Sequence, residues 1–214
     1  MDYWSPPPQS HKLAASLARQ FAVMHNIPLQ PLEDVLERYV DEKKTWLADL
    51  DALEAQWESL AYAPSMGVPA ARAWVKAKVG GVDAAEAVVH NDALLHNVLA
   101  ENDEITAVLD WEMAHIGHPC EDLGYVRPVV EQMTEWSRFL DAYEAAGGKR
   151  PTVLQVDFFT LRSILKLMIQ VMHVRRAFDG GHANVPALAE IGSSFMPKLV
   201  ERLAQQVSRI VAAR

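Results

Sequence analysis

The sequence is short of several things, and each shortage excludes something. It holds one cysteine, Cys120, so no intrachain disulfide can form and cysteine usage gives no reason to invoke an oxidising compartment. It has no excess of positive charge: 20 Lys and Arg stand against 28 Asp and Glu, a net charge of -8. A general nucleic-acid or anionic-membrane binder needs a basic face to neutralise phosphates, and this balance argues against one. Long apolar runs are missing too. The most apolar stretch, Ile164 to Val174, is interrupted by Lys166 and Gln170 and is too short to span a bilayer. The first residues, Met1-Asp2-Tyr3-Trp4-Ser5 and then Pro6 to Pro8, contain neither a basic nor an apolar leader region. These absences predict a cytoplasmic protein with no membrane and no nucleic-acid partner.

What is there is an ordinary globular balance, half hydrophobic and 22% charged, in 214 residues. That length suits a single domain or large lobe with a substantial core. Helical periodicity dominates. Leu13, Leu17, Phe21 and Met24 mark a helix that Ser10 can cap and Pro28 closes. A second helix is expected from just after Pro31, with Val35, Leu36, Tyr39, Val40, Trp46, Leu47, Leu50, Leu53 and Trp57 on its apolar side. A Pro/Gly/Ser loop from Pro64 to Pro69 leads into a short helix over Ala70 to Lys78, which Gly80-Gly81 stops. Three further helices are expected: Val130 to Ala146, ending at Gly147-Gly148; Val153 to Phe178; and Pro186 to Ala213, broken or kinked at Pro197. Trp46, Trp57, Met168, Met172 and Cys120 read as core.

Between these helices the pattern changes. Ala87-Val88-Val89 is a short β-branched run leading to His90, and Asn97 to Ala100 and Ile105 to Leu109 read as two short strands around a turn at Asn102 to Glu104. Here the polar residues are unusual: His90-x-Asp92-x-x-x-x-Asn97, then Asp110-Trp111-Glu112. Phosphoryl transfer from ATP to a hydroxyl needs a carboxylate to orient the hydroxyl and take its proton, and hard oxygen ligands for magnesium. Asp92 at a loop tip suits the first task. Asn97 and Asp110, at the two ends of one hairpin and so close in space, suit the second.

These blocks, followed by Gly117-His118-Pro119-Cys120-Glu121-Asp122-Leu123, resemble the aminoglycoside phosphotransferase and choline kinase-like family. Within it they are most similar to the phosphotransferase-like domains related to acyl-CoA dehydrogenase fusion proteins. The resemblance implies an α+β, mainly helical fold, the C-terminal lobe of the protein-kinase-like fold with a small β-hairpin at the catalytic site. It implies Asp92 as catalytic base, Asn97 and Asp110 as Mg2+ ligands, and Glu112 as a metal-shell or substrate residue. His90 and Asp122 would support the site, Asp122 by tying down the backbone of the catalytic loop from a helix start. ATP and Mg2+ are the implied cofactors and a small-molecule hydroxyl compound the acceptor, with Glu131, Glu135 and Asp141 as candidate acceptor contacts. Asn91 stands where the family has Gly, and His118 where it often has Asp, which reads as a lost turn or capping interaction.

Such enzymes carry a preceding β-rich lobe with a lysine for the phosphates. No stretch here has that look, so the sequence reads as a C-lobe with the N-terminal lobe absent. Its three subregions are helices over 10–80, the catalytic segment 87–125 and helices over 130–214. Three functions compete. One is an ATP- and Mg2+-dependent phosphotransferase. Another is a non-catalytic module with an exposed apolar face suited to self-association or a partner. The last is a metal hydrolase built on His90, Asp92, His96, Asp110 and His115.

Overall fold

The computed structural model describes residues 10–38, 42–59, 67–181 and 186–212. The chain divides into two compact units that interleave in sequence: residues 1–42 with 83–159, and residues 43–82 with 160–214. The expected helical subregion 10–80 is therefore shared between the two.

In the first unit, α1 (His11–His25) buries Leu17, Phe21 and Met24 of the expected stripe together with Ala14, Ala18 and Ala22, while Leu13 is half-buried. Ser10 occupies the N-cap position, yet its hydroxyl makes no cap bond; its carbonyl accepts the Ala14 N–H at 3.0 Å. Strand β1 (Ala87–Val89) is wholly buried and pairs antiparallel with β4 (His115–Gly117). Strand β4 was not expected, because His115-Ile116-Gly117 holds a single β-branched residue between a histidine and a glycine. Strands β2 (Val98–Glu101) and β3 (Glu104–Val108) form the expected hairpin. Its turn is tight: Asn102 and Asp103 both take positive φ, 52° and 66°, as a two-residue turn matched to strand twist requires. Helix α1 holds the hairpin. Ser16 Oγ donates to Glu104 at 2.9 Å and accepts the Ile105 N–H at 2.9 Å, and Arg19 pairs with Glu104.

The second expected helix starts later than its apolar residues suggest. A 3-10 turn covers Gln30–Leu32, Val35 is 75% exposed, and Arg38 forms a parallel bridge to Ile116. The Ile116 N–H needs an acceptor and finds the Glu37 carbonyl at 2.8 Å, which holds the segment extended beside β4. Tyr39 and Val40 lie outside the described residues. The single helix expected over 130–146 is two helices, α4 (Cys120–Met133) and α5 (Trp136–Ala145), separated by an extended Thr134. In one unbroken helix Phe139 would lie about 240° around from Met133. The break lets Met133 and Phe139 both be buried. Gly147, at φ 97°, ends α5 as expected.

The second unit contains α2 (Glu42–Ser59), α3 (Gly67–Lys78), most of α6 (Val153–Asp179) and α7 (Pro186–Ala212). Trp46, Leu50, Met168 and Met172 are core, whereas Trp57 is half-buried. Helix α3 begins at Gly67, so Pro69 lies in its first turn, where its missing N–H costs nothing. Pro197 lies inside α7 and does not break it. It sits on the exposed side, while Met196, Leu199 and Leu203 are buried along the same helix and hold it. No helix among the described residues is long and apolar enough to cross a membrane.

Gly117 shows how tightly β4 meets α4. A Cβ there would come within 2.6 Å of His115 Nε2 and 2.7 Å of Glu121 Oε1, both buried side chains with little room to give. Gly117→Ala is expected to lower unfolding free energy by about 1–3 kcal/mol, as overpacking does, measured by denaturant titration.

Candidate active site

The loop after β1 carries the candidate site. Asn91 takes φ 61°, the left-handed conformation that glycine serves most easily and that asparagine tolerates best among the others. The loop thus keeps its shape without glycine. Asp92 follows, its side chain 32% exposed. Its Oδ1 accepts the Tyr125 hydroxyl at 2.6 Å and its Oδ2 accepts Asn97 Nδ2 at 2.9 Å, with His96 Nε2 at 3.7 Å. Burial by itself would raise the Asp92 carboxyl, but His96, Tyr125 and Asn97 together outweigh it and hold the group below the usual range. Asp92 is therefore an ionised acceptor at neutral pH. Burial and the Asp92 charge push the Tyr125 hydroxyl well up, so it remains a donor.

Asn97 is 7% exposed and spends its amide N–H groups on Asp92, on the carbonyl and on the carboxylate, both at 2.9 Å. That leaves its Oδ1 as the atom available to a cation. Its carbonyl accepts the Leu109 N–H at 2.8 Å, which extends the hairpin ladder and sets Asp110 one residue beyond this closure. Asp110 is exposed and sits at φ 63°, ψ 65°. A non-glycine residue held there costs about 1 kcal/mol or more, and such outliers cluster at functional sites. Glu112 is exposed in the 3-10 turn Trp111–Met113 that follows.

The support lies beneath. His90 is fully buried; its Nε2 donates to the Leu109 carbonyl at 2.8 Å and its ring packs on Trp111 at 4.8 Å. Asp122, in the first turn of α4, accepts the backbone N–H groups of His90 at 2.9 Å and Asn91 at 2.6 Å. Its carboxylate also meets His25 Nε2 at 3.2 Å, and His25 Nδ1 meets the Tyr143 hydroxyl at 2.8 Å. Sequence reasoning missed Tyr125 and His25. Tyr125 lies three residues after Asp122 and so shares its helix face, a readable signal. His25 gave none, since it looks like a basic residue in the last turn of α1.

His118 corrects the expectation of a lost cap. Its Nδ1 accepts the Cys120 N–H at 3.1 Å, so the imidazole performs the acceptor's task at the start of α4. Glu121 Oε1 faces His115 Nε2 at 3.4 Å and accepts the His118 N–H at 3.2 Å. Of the candidate acceptor contacts, Glu131 pairs with Arg127 at 2.9 Å and Asp141 with Arg150, while Glu135 stands at the N-cap position of α5.

Among the described residues no group of three or more His, Cys, Asp or Glu converges on a possible metal position. His90 faces the Leu109 carbonyl and His115 faces Glu121, while His96 lies 3.7 Å from Asp92, so of the three histidines in the hydrolase reading one meets another member of that set. Two hard-oxygen donors, Asn97 and Asp110, suit magnesium, which keeps most of its shell as water and phosphate oxygen.

The chain matches the model of the phosphotransferase enzyme family over residues 1–159. It is 26% identical over 130 residues to acyl-CoA dehydrogenase family member 11 of Mus musculus, covering 58% of this chain and 16% of that protein. The chain thus spans a small part of the length of such relatives. A crystal structure from Ralstonia eutropha assigned as an aminoglycoside phosphotransferase superposes with a TM-score of 0.72 at 16% identity, covering 95% of this chain and 70% of that one. A thermostable mutant of aminoglycoside phosphotransferase APH(4)-Ia, in ternary complex with AMP-PNP and hygromycin B, gives 0.66 at 18% identity, covering 93% and 66%. At these identities the likeness to solved structures is one of fold.

Proposed function

Because this chain belongs to the phosphotransferase enzyme family, we propose that it carries the acceptor-activating and metal-holding half of an ATP- and magnesium-dependent transfer of phosphate to a small-molecule hydroxyl. The observation that carries this reading is the Asp92–Asn97 pair at the closure of a hairpin whose other end presents Asp110. Asp92 orients the acceptor hydroxyl and takes its proton. Its depressed pKa makes it a weak base, which suits a reaction that depends more on positioning than on proton abstraction. Asn97 Oδ1 and Asp110 would hold the cation, and Glu112 would serve the metal shell or the substrate. Magnesium held there supplies neutralisation of the phosphate charge. His90 and Asp122 keep the loop in register.

The test is binding. Mg-ATP is expected to raise the melting temperature of the full chain, and Asp110→Ala to abolish that rise while leaving the fold intact by circular dichroism. A wild-type chain that shows no magnesium-dependent shift overturns the reading.

A second reading, a binding module without turnover, is favoured by one observation. Leu99, Leu109, Trp111 and Met113, around Asp110 in sequence and on the hairpin, are 53%, 42%, 41% and 39% exposed. An apolar rim of this kind suits self-association or a covering partner. Mg-ATP binding with no phosphate transfer to a panel of alcohols, followed by 31P NMR, selects the module.

A further inference from the structure

The second unit holds a cavity of about 420 Å³ lined by Ala70, Ala73, Trp74, Ala77 and Lys78 of α3, Val207, Ile210 and Val211 of α7, and Leu161 of α6. That volume lies within the usual range of small-molecule sites, and among the described lining residues all but Lys78 are apolar or aromatic. Helix α3 has two apolar faces. Val68, Ala71 and Val75 are buried, as a single stripe should be. Ala70, Ala73, Trp74 and Ala77 form a second stripe at helical spacing, and its three alanines are exposed. A surface helix ordinarily carries polar residues there. Across from it Val211 is 62% exposed. Small side chains where larger ones would fill the space leave an apolar hollow open to solvent, and a hydrocarbon chain seated there would remove apolar surface from water.

Charge decides the class of occupant. Helix α3 has three basic residues. Arg72 pairs with Glu54, and Lys76 pairs with Asp51 at 2.5 Å and Glu54 at 3.4 Å, both carboxylates coming from α2. Lys78, the charged residue of the cavity lining, is exposed and has no ion pair among the described residues. We propose that this cavity binds the hydrocarbon chain of a single-chain carboxylate, with Lys78 taking the anionic head. None of Asp92, Asn97 or Asp110 enters this site, so the proposal stands apart from the phosphotransfer reading.

The experiment is calorimetric titration of the full chain with octanoate, decanoate and dodecanoate below their micelle concentrations, and with the alcohols of equal length. One-to-one binding is expected. Each added methylene should tighten it about fourfold while the cavity still accommodates the chain. Lys78→Gln should weaken the carboxylates by up to about fivefold, as an exposed ion pair allows, and leave the alcohols unchanged. Ala73→Phe and Ala77→Leu, each filling the hollow from an exposed helical position, should remove binding with the helical spectrum intact. Absence of saturable binding to wild type overturns the proposal, as does binding that survives both filling variants. Equal affinity for carboxylates and alcohols overturns the assignment of the head group to Lys78.

Discussion

Asp122→Ala is expected to lower the unfolding free energy by about 3–5 kcal/mol, the largest effect of any single substitution at the site. The carboxylate is the acceptor for two backbone N–H groups of the loop after β1, those of His90 and Asn91, and it faces His25. Its side chain is 0% exposed and that of His25 is 3% exposed, so water cannot replace what alanine removes. A buried donor left without an acceptor costs about 1–3 kcal/mol, and hydrogen bonds to a charged acceptor lie at the upper end. Asp122→Asn keeps one acceptor oxygen and sets an amide N–H toward a second donor, so it should lose roughly half as much. Urea titration measures this as a lower midpoint with unchanged slope. The loop should respond too, through large shifts of the His90 and Asn91 amide resonances. A loss under about 1 kcal/mol would mean that the loop holds its shape by other means.

Acid should weaken the fold through His118, and the sign follows from its neighbours. Burial dominates and pushes the imidazole down to about 4, with the Glu121 charge opposing. The neutral ring is also the form that accepts the Cys120 N–H, so protonation removes the bond at the start of α4. Because the folded value is depressed below the ordinary 6.5, the unfolded chain takes up the proton first. The contribution of neutral His118 is complete above pH 6.5 and is lost progressively as pH falls to about 4. The full loss amounts to about 3 kcal/mol. In His118→Asn the amide oxygen can still accept the Cys120 N–H and nothing titrates. Its stability curve should be flatter than wild type between those limits, measured by urea midpoints at each pH.

His115 works in the other direction. Burial would lower it, but the Glu121 hydrogen bond and charge, with smaller help from the Met113 carbonyl, hold it raised. Its contribution is full below its unfolded value and fades as pH rises through the folded one. The two histidines flank one buried carboxylate and bound the stable pH range from opposite sides.

Much of this was readable in advance because it is local. The stripe of α1 needs only periodicity, and the hairpin only β-branched runs around Asn102-Asp103. Asn91 stands where the family that the chain resembles has glycine, and asparagine tolerates a left-handed backbone better than most other residues do. The late start of α2 was not readable, since Val35 and Leu36 continue a helical pattern that the Ile116 N–H overrides from 80 residues away. Nor was the break at Thr134, which answers to where Phe139 and Met133 must be buried.

The sequence by itself determined the order and spacing of the blocks from His90 to Asp122, the helix-rich class and the candidate roles of Asp92, Asn97 and Asp110. Spacing along a chain is a property of the chain, and chemistry that requires particular residue types at particular intervals can be read from it. Tertiary structure alone decided what those residues touch. It put the Tyr125 hydroxyl on Asp92, tied His25 to Asp122, made His118 a cap instead of a loss, and gave α3 a second apolar face that opens on a cavity. The first three pair groups by burial and by the need of a buried polar atom for a partner, and a partner that folding supplies from elsewhere in the chain leaves no periodic trace in the sequence.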